Sequence, residues 1–159
     1  KGILYAGLMI NDGKPSLVEY NVRFGDPECQ VIMMRLGGQI LDIILNCLEG
    51  NLPLSKVNWA NDHALTVVLA SKGYPHEYKK GSLLKNIPKI KEDINLKLFH
   101  AGTKKIGNSF YSNGGRVLNV TARGSSLKKA RKSAYDTISK LKWEEGVFRK
   151  DIGWRGIKN

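Results

Sequence analysis

The sequence predicts an α+β fold in two pieces, residues 1–61 and 62–159. Three observations predict it. Two apolar strand-like segments open the chain on either side of Asn11-Asp12-Gly13-Lys14-Pro15. Two apolar helical stretches follow and end in a polar loop with Pro53 and two Asn. Several short strands then lead into one amphipathic helix near residues 127–141. The chain has 159 residues, 42% hydrophobic and 25% charged, a balance that buries a core and excludes general disorder. Its longest apolar runs, such as 31–34 and 43–45, are far too short to cross a bilayer.

Residues 3–10 read as the first strand. Asn, Asp and Gly tolerate positive φ and Pro leaves a ladder, so residues 11–15 read as the turn. Residues 16–24 read as the second strand. Helices are expected from about 27 to 36 and 39 to 49, interrupted by Gly37-Gly38 and closed by Gly50. The loop 51–62 is the predicted domain boundary. Residues 64–70 are apolar on both faces and read as a doubly buried strand. Residues 71–95 read as loops, with strands at 96–101, 109–112 and 116–123. Ser125-Ser126 caps the last helix, whose apolar face is Leu127, Ala130, Ala134, Ile138 and Leu141. Residues 142–159 read as an irregular tail.

There are 26 Lys+Arg against 14 Asp+Glu, a net charge of +12. A basic chain invites a nucleic-acid reading, and the run Lys128-Lys129-Ala130-Arg131-Lys132 is its best support. No aromatics interleave with that run, and a solvated helix face accounts for it more simply. Cys29 and Cys47 show neither a disulfide framework nor zinc spacing, and fit a reducing, cytoplasmic compartment. His63, His76 and His100 are scattered and read as structural or surface residues. Met33-Met34 reads as core.

The second strand carries the chemistry. Side chains alternate faces along a strand, so Val18, Tyr20, Val22 and Phe24 are expected to face the core. Glu19, Asn21 and Arg23 then share the other face, about 7 Å from one to the next. A carboxylate and an amide oxygen suit Mg²⁺, and a guanidinium suits phosphate. A solvated strand face accounts for the same three residues. The turn that follows, Phe24-Gly25-Asp26-Pro27-Glu28, places Asp26 as an N-cap and Pro27 at the first helical position. That leaves the flanking Arg23 and Glu28 unexplained. Further on, Arg116 follows Gly114-Gly115, where exposed backbone and a fork-shaped donor suit a phosphate; a surface strand-edge Arg is the alternative.

Residues 18–30, with the core Arg-Phe-Gly-Asp-Pro-Glu-x-Gln, resemble the signature of the phosphoribosylamine–glycine ligases, ATP-grasp enzymes of purine biosynthesis. Segments 1–9, 67–75, 99–103, 114–122 and 149–155 resemble other parts of that family, so the resemblance covers nearly the whole chain. It implies the C-terminal part of an ATP-grasp domain followed by a small, mixed, barrel-like sheet domain with one amphipathic helix. It implies Mg²⁺, or Mn²⁺ in its place, held by Glu19 and Asn21, with ATP as co-substrate. Arg23 is expected near the nucleotide phosphates, and Asp26 and Glu28 on the glycine and phosphoribosylamine side. Arg116 and one of Lys104 or Lys105 are expected to hold the 5′-phosphate of phosphoribosylamine.

The implied reaction consumes ATP, glycine and 5-phosphoribosylamine and yields glycinamide ribonucleotide, ADP and phosphate through a glycyl phosphate. Family members are several hundred residues long, and only their C-terminal part is resembled. The chain alone is therefore expected to be inactive without the N-terminal domains, with surface near residues 1–40 exposed and prone to self-association. The whole enzyme is expected to be a monomer that takes small-molecule substrates and neither membrane nor nucleic acid. The alternatives are a small basic nucleic-acid-binding domain, using 128–132 and 79–97, and a different ATP-grasp ligase.

Overall fold

The structure, a computed structural model, describes residues 1–52 and 57–157. Two compact units divide between Ala60 and Asn61. Pro53, on which the expected boundary loop partly rests, lies outside the described residues, as do Lys158 and Asn159 of the expected tail.

The first unit opens with a hairpin of β1 (Tyr5–Asn11) and β2 (Lys14–Asn21). Asp12 and Gly13 form its two-residue turn, both at positive φ (50° and 76°), the twist that suits a tight hairpin. Pro15 lies inside β2 opposite Ile10 rather than in the turn. A two-stranded ribbon leaves each strand one unpaired edge, where a residue without an N–H fits.

Two expectations fail here. The strand read over 16–24 ends at Asn21, because the chain bends at Val22 and Arg23. The ladder also slips between Gly7 and Leu8, leaving Val18 as the unpaired residue and breaking the alternation of faces. Val18, Tyr20 and Val22 are 65%, 62% and 89% exposed, and Phe24 is half-buried, so they form no core face in this chain.

Helices α1 (Glu28–Leu36) and α2 (Gln39–Glu49) follow, with Gly37 between them and Gly50 closing α2 as expected. Helix α1 begins one residue later than the capping argument requires. Pro27 stands at the cap position with no side-chain oxygen to offer, and the Cys29 N–H closes the turn onto the Gly25 carbonyl at 2.9 Å. Asp26 is therefore not the N-cap. Met34 and Leu36 are buried. Arg35 donates to the Ala60 carbonyl at 2.8 Å, and the Gln39 amide pairs with the backbone of Asn58, fixing the far side of the loop. No single helix among the described residues is long and apolar enough to cross a membrane; α1 and α2 reach that length only together, across a 102° bend.

The second unit contains β3 (His63–Ser71), β4 (Leu83–Leu84), a 3₁₀ turn (Ile87–Lys89), β5 (Leu96–His100), β6 (Thr103–Ile106), β7 (Ser109–Ser112), β8 (Arg116–Gly124), α3 (Leu127–Leu141), β9 (Gly146–Val147) and α4 (Trp154–Ile157). Its strands form two antiparallel sheets, ordered β5-β8-β3-β9 and β4-β7-β6. Leu65, Val67, Leu69, Leu98, Leu118, Val120 and Ala122 share one core with Ala130, Ala134, Ile138 and Leu141 of α3, as the helix periodicity predicts. Ser126 caps α3 by accepting the Lys129 N–H at 3.3 Å. The second face of β3 is half-buried rather than fully buried.

The expected loop 71–95 and tail 142–159 contain β4, the 3₁₀ turn, β9 and α4, and β6 was read as neither strand nor loop. Strands as short as β4 and β9, two residues each, give no measurable hydrophobic period, so tertiary pairing alone defines them, whereas the four-residue β7 lies where a strand is expected.

Candidate active site

Strand pairing in the first unit brings together Glu19 and Asn21, two of the residues that the sequence singles out. Register sets Tyr5 opposite Asn21 and Gly7 opposite Glu19. The Glu19 side chain lies across Gly7, where an added Cβ would come within 3.1 Å of its Cγ. The Asn21 amide nitrogen donates to Glu19 Oε1 at 3.0 Å. From the start of α1, Glu28 reaches back so that Tyr5 Oη donates to its Oε1 at 3.4 Å.

Gly25 makes this return possible. It is buried, and a Cβ there would lie 2.3 Å from Glu28 Oε2 and 3.2 Å from Tyr5 Cε2. Any larger residue would displace the carboxylate and the ring. The negative charge of Glu28 is the largest cause holding the Tyr5 hydroxyl above its usual pKa, with partial burial, the hydrogen bond and Glu19 adding to it. Tyr5 therefore stays a protonated donor at neutral pH.

Arg23 lies past the end of β2, off the shared face, and donates to the Phe24 carbonyl at 2.8 Å. Asp26 stands in the turn before α1, close enough for its charge to raise the Cys29 thiol, although burial is the larger cause. Glu28 occupies the first turn of α1, where a carboxylate complements the helix dipole.

The donor set can be tested for a divalent ion. Among the described residues no group of three or more His, Cys, Asp or Glu forms a metal cluster. Mg²⁺ asks for less: one or two protein oxygens, with waters and substrate phosphate completing the shell. Glu19 and Asn21 stand 3.0 Å apart at their polar ends. Turning the amide by half a rotation puts its oxygen beside the carboxylate. Adjacent oxygens of an octahedral shell with bonds of about 2.1 Å are about 3 Å apart. The pair fits.

The second unit holds a separate group. The Gly102 and Gly114 backbones meet so closely that a Cβ on Gly102 would lie 2.6 Å from the Arg116 carbonyl and 2.8 Å from Gly114 Cα. The Ala101 and Gly102 N–H groups both donate to the Val117 carbonyl at 3.1 Å, and the Asn113 N–H donates to Gly102 at 2.7 Å. The Tyr74 ring covers Gly115, and Ser71 Oγ donates to the Gly114 carbonyl at 2.8 Å. Arg116 stands at the start of β8 and Lys104 two residues past Gly102 in β6, both exposed. Lys105 lies over the Phe110 ring at 5.8 Å. His100 bonds Thr103 Oγ1 through Nδ1 at 2.8 Å and stacks on Phe110, and its loss of solvation holds its pKa below the usual value. Tyr5, Tyr74 and Gly102 lie in these two candidate groups, and the sequence reading does not single them out.

The basic run on α3 is largely absorbed by the fold. Arg131 donates to the Ile152 and Lys150 carbonyls at 2.9 and 2.7 Å, and its guanidinium lies over Tyr135. Lys132 pairs with Asp136, and Lys129 Nζ donates to Ser125. A cavity of about 620 Å³ elsewhere in this unit is lined by Lys72, Lys79 and Lys80, but also by Glu77 and Glu145.

Residues 64–155 match the family model for the Phosphoribosylglycinamide synthetase, C domain. The chain belongs to this family. Residues 1–29 match the Phosphoribosylglycinamide synthetase, ATP-grasp (A) domain. Tyr5, Glu19, Asn21, Arg23, Asp26 and Glu28 all fall within the ATP-grasp match, and Lys104 and Arg116 within the C-domain match.

Relatives of this phosphoribosylglycinamide synthetase family chain agree. It is 49% identical over 156 residues to a phosphoribosylamine–glycine ligase from Agrobacterium fabrum, covering 98% of this chain and 36% of that protein. It is 45% identical over 157 residues to one from Brucella melitensis, covering 99% and 37%. The crystal structure of phosphoribosylamine–glycine ligase from Thermotoga maritima superposes with a TM-score of 0.79 at 34% identity, over 93% of this chain and 36% of that one. The chain therefore spans little more than a third of the length of these relatives.

Proposed function

We propose that this chain is the C-terminal portion of an ATP-dependent ligase that joins glycine to 5-phosphoribosylamine. One observation carries the proposal: Tyr5, Glu19, Asn21 and Glu28 converge where the hairpin meets the turn before α1, inside the stretch matched to the ATP-grasp domain. Residues 1–61 are the C-terminal piece of the ATP-grasp domain, and residues 62–159 the C-terminal domain of the ligase.

Glu19 and Asn21 would hold Mg²⁺ or Mn²⁺, which supplies charge neutralisation at the transferring phosphoryl group when bound. Arg23 offers planar donors to the nucleotide phosphates. Asp26 and Glu28 accept from the amine-bearing substrates. Arg116 and Lys104 hold the 5′-phosphate. A glycine carboxylate oxygen attacks the γ-phosphorus and ADP leaves. The amine nitrogen of phosphoribosylamine then attacks the glycyl carbonyl carbon, phosphate leaves, and the nitrogen loses a proton. No protein nucleophile takes part; the chain positions, neutralises charge and excludes water.

The remainder of the polypeptide covers the exposed Val18, Tyr20 and Val22 side of the hairpin, and the chain alone is inactive. The free Cys29 and Cys47 accord with a reducing, cytoplasmic setting. The test uses the whole ligase. Glu19→Ala and Arg116→Ala should each lower kcat/KM at least about 100-fold. Arg116→Ala should raise the KM for phosphoribosylamine and spare that for glycine. Losses below about threefold in both would remove the proposal's basis.

A further inference from the structure

Tyr5 stands at a crossing that the reaction scheme leaves unused. Its backbone is opposite Asn21, its ring lies against Gly25, and its hydroxyl reaches Glu28 Oε1. Glu28 is exposed as a residue, yet both of its carboxylate oxygens have neighbours in the fold. Oε1 is held by Tyr5, and Oε2 occupies the space that Gly25 leaves open. An exposed Glu on a helix's first turn ordinarily samples several rotamers, at an entropy cost to any ligand that must fix it. Here the Tyr5 contact and the space beside Gly25 favour one of them.

We propose that Tyr5 is a positioning residue that locks the Glu28 carboxylate in the orientation that receives the ammonium group of glycine. The inference rests on the ligase proposal and deepens it by naming the substrate group that Glu28 takes. An ammonium is the fitting partner for an oriented carboxylate, because its N–H donors carry full charge. The amine of phosphoribosylamine must instead be neutral to attack, so it gains less from a carboxylate.

The test is a double-mutant cycle in the whole ligase with Tyr5→Phe and Glu28→Gln, reading KM for each substrate, kcat and melting temperature. Tyr5→Phe keeps the ring against Gly25 and removes only the donor. It should raise the glycine KM about fivefold, leave the phosphoribosylamine KM and the melting temperature unmoved, and change kcat less than about twofold. Glu28→Gln should raise the glycine KM further, and the double variant should match Glu28→Gln alone, because the hydroxyl acts only through the carboxylate. Multiplying effects would overturn the proposal, as would a Tyr5→Phe variant with unchanged glycine KM beside a defective Glu28→Gln. If neither substitution moves the glycine KM while Glu19→Ala still abolishes turnover, Glu28 is not the glycine acceptor and the proposal falls, while the ligase assignment stands. If turnover never requires glycine, the ligase assignment itself fails.

Discussion

Asn119 shows most sharply how one residue can run against its surroundings. It sits mid-strand in β8, opposite Val68 and Phe99, and is 1% exposed. Neither its amide nitrogen nor its oxygen has a hydrogen-bond partner among the described residues. A buried, unsatisfied amide costs free energy that an apolar side chain of the same shape does not. Asn119→Leu is therefore expected to raise stability by about 1 kcal/mol, read as a higher urea midpoint at unchanged slope. A lower midpoint would mean that the amide has a partner in solution. The candidate site was only partly legible at this scale. Glu19, Asn21 and Glu28 stand out by residue type and spacing. Tyr5 does not: counting back through the Asp12-Gly13 turn pairs it with Tyr20, and only the slip at Val18 moves it opposite Asn21. A bulge leaves no mark in hydrophobic alternation that a sequence reader can separate from noise.

Elements with long periods were legible, and of the short strands β7 was while β4, β6 and β9 were not. The apolar face of α3 follows from residues three and four apart, and Ala130, Ala134, Ile138 and Leu141 are buried as expected. The same helix explains a basic run that its periodicity leaves without a purpose. Arg131 and Tyr135 turn outward and bind the tail: Tyr135 Oη donates to the Arg149 carbonyl at 2.6 Å and accepts the Ile152 N–H at 3.2 Å. The stretch read as irregular is thus held by backbone bonds to two α3 side chains, which no local pattern announces. Arg131→Met keeps the aliphatic stem and removes both charged hydrogen bonds. It should cost roughly 1–3 kcal/mol and speed amide exchange selectively over residues 148–157. Uniform exchange along the chain would refute the clamp.

Over the whole molecule, the two units carry two different kinds of site. The first presents oxygen donors and a guanidinium beside a helix start; the second presents a glycine-tight junction flanked by Lys104 and Arg116. Under the proposed function, metal and nucleotide chemistry would belong to the first kind, and capture of a substrate phosphate to the second. The fold class and the order of the main elements were legible because they rest on patterning spread over many residues. The expected core face of β2 was not, because burial depends on what lies against a strand as well as on its own alternation. The net charge of +12 points to nucleic acid, yet two residues of the basic run, Arg131 and Lys132, make contacts within the fold. The most direct test of the ligase assignment is ADP release by the whole enzyme with ATP and Mg²⁺, omitting glycine and 5-phosphoribosylamine in turn. Release should be fast only with both present, with one ADP formed per glycinamide ribonucleotide. Release that persists at the full rate without glycine would contradict the assignment.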